Sequence, residues 1–209
     1  MLLKAHILGI HISGTRMSIK QGLLALLAQR PMFGAQLRSE FEARTGGTWP
    51  LNVGQVYSTL SRLERDGLVE AAGGPDEDGR IAYRLTAQGR QEVGRWWLTP
   101  VDRTDHPRDE LTIKLALAVT VPGVDVPAVV QAQRTQTLRS LRDLTRLKQR
   151  ATDADDLAWL LVLDNLVFAA EAEVRWLDHV EARLLRRAAS APPAAASRDQ
   201  ADTTEEARR

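Results

Sequence analysis

Gln55, Tyr57, Ser58, Thr59, Ser61 and Arg62 fall between the apolar residues Val56, Leu60 and Leu63, which recur at steps of four and three. That recurrence predicts a helix from about Val53 to Asp66 with one buried face. The residues between carry amides, hydroxyls and a guanidinium. Such groups hydrogen-bond to base edges and phosphates, so the chemistry on offer is the reading of a DNA groove. Gly54 opens the helix at little steric cost. Asp66-Gly67 closes it, with Gly67 suited to a left-handed C-cap. Asn52, just ahead of the helix, joins the candidate contacts.

The flanking segments supply what such a helix needs in order to be aimed. Leu68 to Ala72 has the apolar content of a short strand, residues 73–79 are dense in turn formers, and Arg80 to Leu85 alternates in character. Thr86 is placed to cap a helix from Ala87 to about Leu98. Helix, strand, turn, strand, helix is the order of a winged helix with a two-stranded wing, and Arg80 is its natural contact. The Asp76-Glu77-Asp78 tip is awkward beside phosphates and is expected to point away from them. Upstream, Ser18 can cap a helix striped by Ile19, Leu23, Leu26 and Leu27, ended by Pro31. A second helix, about Phe33 to Arg44, carries Phe33, Leu37 and Phe41 at four-residue steps, and Gly46-Gly47 ends it. Trp49 to Asn52 is a stiff lead-in to the groove-reading helix. Lys20 and Gln36, near helix starts, are further candidate contacts to the phosphate backbone.

The chain resembles the PadR family of bacterial transcriptional regulators. The resemblance rests on Leu23 to Leu37 (LLALLAQRPMFGAQL), Thr45 to Val69 (TGGTWPLNVGQVYSTLSRLERDGLV) and Tyr83 to Gly89 (YRLTAQG), and covers about residues 19–98. Ala35 stands where the family usually has Tyr, and Val53 where it often has Pro or a small polar residue. The resemblance implies a dimer that binds a palindromic operator, usually as a repressor. Composition and spacing alone give only a winged helix.

The charge balance is modest. The 209 residues carry a formal net charge of +1 and 44% hydrophobic residues. Residues 1–100 hold 12 Lys and Arg against 9 Asp and Glu, and the remainder 16 against 18. The sign in the first half suits a nucleic-acid partner, but the size would not identify one. Cysteine is absent, so thiolate and disulfide chemistry are absent too. No apolar run approaches the roughly 20 residues of a membrane span. A cytoplasmic protein, at the nucleoid when bound to DNA, is the expectation. His6, His11, His106 and His179 show no metal spacing, and no nucleophile–base pair stands out. Neither an enzyme, a cofactor nor a metal is expected.

The second half reads as helical. The expected layout is an arm over 1–17, the winged helix over 18–98, a linker over 99–110, a helical dimerisation domain over 111–188 and a disordered tail over 189–209. The dimerisation domain has a short helix from Glu110 to Val121 and long helices over about 127–151 and 155–188. In the last, Leu160, Leu163, Val167, Val174, Leu177 and Leu184 lie on a coiled-coil-like seam, expected to be buried against a second copy of the chain. The fold class is therefore mainly α, a winged helix followed by a helical dimerisation domain. A multidrug-sensing branch of the family sandwiches planar compounds between aromatic residues at such a place. An aromatic pair at a dimer seam is most often core packing; the other reading, which that resemblance marks, makes Trp96, with Trp97 and Trp159, candidate walls for a planar or phenolic effector. A rival reading is a winged-helix protein-interaction module without specific DNA binding, which the low net charge and acidic wing favour.

Overall fold

The computed structural model describes residues 19–101, 109–151 and 157–190. The arm over 1–17, the Ser18 cap, most of the linker and nearly all of the tail lie outside the described residues. In chain order the elements are α1 (Ile19–Leu27), β1 (Met32–Phe33), α2 (Gly34–Arg44), α3 (Val53–Arg65), β2 (Val69–Ala71), β3 (Ala82–Leu85), α4 (Ala87–Leu98), α5 (Glu110–Ala118), α6 (Val126–Arg150) and α7 (Leu157–Ser190).

The apolar stripes of α1, α2 and α3 converge on one core. Leu23, Leu24, Leu37, Leu60 and Leu63 have no exposed surface, and Val56, Met32, Val69, Leu85 and Val93 belong to the same cluster. Each such side chain contributes about 1.5–3 kcal/mol relative to leaving it in water. The two-stranded wing forms as expected, β2 pairing with β3, and a third short strand joins the sheet. β3 is central, with β1 and β2 antiparallel on either side, in the order β1-β3-β2. Met32 lies opposite Tyr83, and Ala71 opposite Tyr83 on the other side. The two residues of β1 are too few to show an alternation, and their strand character comes from pairing with β3.

α6 and α7 pack antiparallel, since Arg134 meets Asp178 while Lys148, further along α6, meets Asp164, earlier in α7. Two apolar clusters hold the pair together. Leu144, Trp159, Leu163 and Leu166 form one, and Leu115 of α5, Val130 and Leu177 the other. Between them lies a polar layer in which the buried Thr137 hydroxyl meets the Gln133 carbonyl at 3.0 Å and the Glu173 carboxylate, while Gln133 Nε2 donates to Glu173 at 2.9 Å. For Leu163 and Leu177 this corrects the expected seam. Leu163 and Leu177 are fully buried inside one chain against α6, and Leu160, Val167, Val174 and Leu184 are half-buried. A three-and-four apolar spacing demands a partner helix without saying which one, and here α6 supplies it. α5 also stops at Ala118, with Val119 as its C-cap, rather than running to Val121.

One contact ties the winged helix to the long helices. Gly46, in the turn after α2, has φ +60°, and an added Cβ there would overlap the six-membered ring of Trp159. Trp159 belongs to α7 and is itself buried against Leu144 and Leu163. Gly46→Ala should therefore destabilise the fold by about 2–4 kcal/mol, through left-handed backbone strain and overpacking together. Leu163→Ala should cost about 2–5 kcal/mol as an intrachain cavity. Denaturant unfolding monitored by circular dichroism checks both.

Candidate nucleic-acid interface

α3 begins with a built cap. The Asn52 side chain accepts from the Gly54 amide at 2.8 Å, and Gln55 Oε1 accepts from the Asn52 amide at 3.1 Å. Together they satisfy amides that the first turn leaves without helical partners. The helix ends at Asp66, and Gly67 follows with φ +69°. Lys20 reaches Asp66 at 3.9 Å, so this candidate contact from α1 also braces the end of α3.

The buried face of α3 decides which candidates reach solvent. Val56, Leu60 and Leu63 are buried. Gln55, Tyr57, Ser58, Ser61, Arg62 and Arg65 are exposed. Thr59 is not among them. It is only 7% exposed, and its hydroxyl donates to the Gln55 carbonyl at 2.7 Å. At about 100° per residue it stands about 40° from Leu63 on the helix wheel, on the flank of the core. Its expected place on the contact surface is corrected accordingly. Ser58 Oγ donates to the same carbonyl at 3.1 Å but remains exposed. The Tyr57 ring lies over Gly34, where an added Cβ would stand 2.9 Å from it, so the phenol packs on the start of α2 while 43% of the residue stays exposed. Gln36 is likewise committed, its Oε1 accepting from the Phe33 amide at 3.0 Å.

The cations sort more sharply than the sequence suggests. Among the described residues from α1 to α4, Lys20, Arg30, Arg38, Arg44, Arg80, Arg84 and Arg95 each pair with a carboxylate. Arg90 donates to the Leu85 carbonyl at 3.1 Å. Arg62 and Arg65 alone in that set have neither an ion pair nor a side-chain hydrogen bond among the described residues, and both project from α3. Arg65 was missed as a candidate, although its position three residues after Arg62 on a helix was the signal for it.

Arg80, the expected wing contact, is engaged within the wing. Its guanidinium meets Asp76 at 2.8 Å and Asp78 at 2.7 Å, and sits 5.2 Å above the Phe33 ring. The Arg80 side chain holds the Asp76 carboxyl below its usual range, and Asp76 in turn raises Arg80. The acidic tip therefore folds back on its own arginine, and Arg84 pairs with Glu70 at 2.8 Å. Burial, then the nearby Glu64 charge, pushes the Tyr83 phenol above its ordinary value.

The aromatic candidates separate into two places. The Trp96 and Trp97 rings are 4.4 Å apart at 45°, and Trp97 is 64% exposed. Trp159 is only 5% exposed, packed against Leu144, Leu163, Leu166 and Gly46, so it is a joint rather than an open wall. Among the described residues no His, Asp and Glu cluster suits a metal, and no helix is long and apolar enough to cross a membrane.

Both halves of the chain are similar to known proteins. A model described as the transcriptional regulator PadR-like family matches residues 23–95, and one described as virulence activator alpha C-term matches residues 107–184. The chain is 28% identical over 184 residues to a probable transcriptional regulator of Mycobacterium tuberculosis (Rv1176c), covering 78% of this chain and 96% of that one. Among solved structures it is similar to Bacillus subtilis PadR in complex with operator DNA, with TM-score 0.62, 20% identity, and 81% and 99% of the two chains covered. It is also similar to the p-coumaric acid complex of the same protein, with TM-score 0.63, 21% identity, and 79% and 97% covered. At these identities the solved structures establish a shared fold.

Asn52→Ala should cost about 0.5–2 kcal/mol of stability through loss of the α3 cap, read as a lowered thermal midpoint.

Proposed function

The chain belongs to the PadR-like family of transcriptional regulators, and we propose that it acts as a homodimeric repressor on a palindromic operator, released by a small planar or phenolic effector. The observation that carries the DNA reading is the pair of unpaired guanidiniums, Arg62 and Arg65, on the exposed face of α3. They share α3 with the exposed Ser58 and Ser61, and with the capping amides of Asn52 and Gln55 at its start. A helix so furnished reads base edges with its arginines and locates itself on phosphates with its hydroxyls and first turn. The recorded Bacillus subtilis complex with operator DNA supports carrying this to the present chain.

The dimer reading rests on apolar surface that α6 does not cover. Leu161 and Phe168 of α7 are 62% and 64% exposed, and Ile113 and Leu117 of α5 are exposed as well. A second copy buries such a surface symmetrically and fixes the spacing of two α3 helices on the two half-sites. Leu160, Val167, Val174 and Leu184, half-buried on α7, border it. The effector reading rests on the Trp96–Trp97 pair, of which Trp97 is exposed and Trp96 half-buried, and on the p-coumaric acid complex of the Bacillus subtilis relative. An effector there relieves repression only if it binds more tightly to the conformer that does not fit DNA.

Arg62→Ala is expected to weaken operator binding by about 1–3 kcal/mol in a fluorescence-anisotropy titration, with the loss concentrated on one base position. An unchanged affinity would remove Arg62 from the interface. Replacing Leu161 and Phe168 together with Glu should give monomers in sedimentation. Persisting dimers would place the interface elsewhere.

A further inference from the structure

The wing carries four carboxylates, Glu70, Asp76, Glu77 and Asp78, against two cations, Arg80 and Arg84, over residues 69–85. Both cations are already spent. Arg84 is held by Glu70, and Arg80 is held by Asp76 and Asp78 over the Phe33 ring at the start of α2. Asp76 also organises the turn itself, since its Oδ1 accepts from the amides of Asp78 and Arg80 at 3.0 and 2.8 Å. Glu77 forms no ion pair among the described residues. The wing is thus a rigid, net negative arm carrying no unpaired cation among the described residues.

We infer that this acidic wing is a specificity filter, a surface that disfavours non-specific DNA more than the chain's own site. The inference rests on the DNA-binding reading above. Non-specific binding draws essentially all its free energy from phosphate contacts and samples many orientations of the protein on the duplex. Every orientation that brings the wing tip near the backbone sets like charges together. The specific complex holds one orientation, fixed by α3 in its groove, and retains its base contacts whatever the background field. The proposal requires that in that one orientation the wing tip stand off the backbone, which the latch of Arg80 to Asp76, Asp78 and the Phe33 ring would favour. The charge balance gives the filter its weight: residues 1–100 hold 12 cations against 9 anions, and removing three wing carboxylates would change the net from +3 to +6. Discrimination of this kind comes from a repulsive element rather than from a better contact.

The test uses the full chain carrying Asp76→Asn, Glu77→Gln and Asp78→Asn together. The two asparagines keep an amide oxygen as acceptor for the turn. Glu77→Lys, which leaves that turn untouched, is the second variant should the triple one fail to fold by circular dichroism. Each is titrated at several salt concentrations against a random-sequence duplex and against the best site recovered by selection from random duplexes. Affinity for the random duplex should rise by about two- to fivefold per carboxylate removed, the size of an exposed ion pair, with a steeper salt slope. Affinity for the selected site should rise less, so the specific-to-random ratio falls. Random-duplex affinity and salt slope that stay unchanged would overturn the proposal, and so would equal tightening on both duplexes. If neither the native chain nor any variant selects or binds DNA, it is the DNA-binding reading that falls.

Discussion

Burial of one face of α3 is the constraint on which the rest depends. Val56, Leu60 and Leu63 are claimed by a core that also holds Leu23, Leu24 and Leu37. With three side chains pinned on one helix, the azimuth of every other side chain follows from about 100° per residue. Ser58, Ser61, Arg62 and Arg65 are forced outward, Thr59 is drawn to the flank of the core, and Tyr57 is laid across Gly34. The remaining elements serve that placement. The Asn52–Gln55 cap sets where the helix starts, and Lys20 braces where it ends. The sheet, with β1 drawn in beside β3, stops the wing from swinging away from α2.

The same core must be held at a fixed angle to α6 and α7 if two copies are to present their α3 helices together. The Trp159 ring against Gly46 is the contact suited to that task. Gly46 lies six residues before the Asn52 cap, in the turn that leads to α3, and Trp159 shares its cluster with Leu144 of α6. A flat indole on a glycine permits close approach over a broad area, and any side chain at Gly46 would separate the surfaces. A change in how α6 and α7 pack would therefore be felt at the turn leading into α3. The polar layer of Thr137, Gln133 and Glu173 gives that packing a register, because sliding α6 past α7 would bury these groups without partners.

Much of this was legible in the residues because period, cap and turn signals are local. The apolar steps in α1, α2 and α3, the Gly67 stop and the Thr86 cap all require only neighbours in sequence. What was not legible depends on partners far along the chain. β1 exists because Met32 and Phe33 meet Tyr83 and Ala82 some 50 residues later. The stripe at Leu163 and Leu177 asked for a partner helix, and only the fold shows that α6 answers before any second copy can. Arg80 presented itself as a phosphate contact until its turn brought Asp76 and Asp78 to it. Trp159 looked like a ligand wall because an aromatic residue announces a flat surface but not what covers it.

In the proposed function, charge pairing across the winged helix is what lets a chain of nearly neutral balance discriminate between DNA sequences. Most of the winged helix's described cations are committed to carboxylates, so the long-range field by which that domain is drawn to any duplex is weak. Among the described residues from α1 to α4 the unpaired guanidiniums are those of Arg62 and Arg65 on α3, where in the proposed function a groove rather than a backbone would meet them. Base contacts are short-ranged and count only in register, whereas phosphate attraction counts everywhere. In the proposed dimer the register-dependent contribution enters twice while the background field stays small. The ratio of specific to random affinity then grows faster than either affinity, which is what a regulator choosing one operator among many competing sites requires.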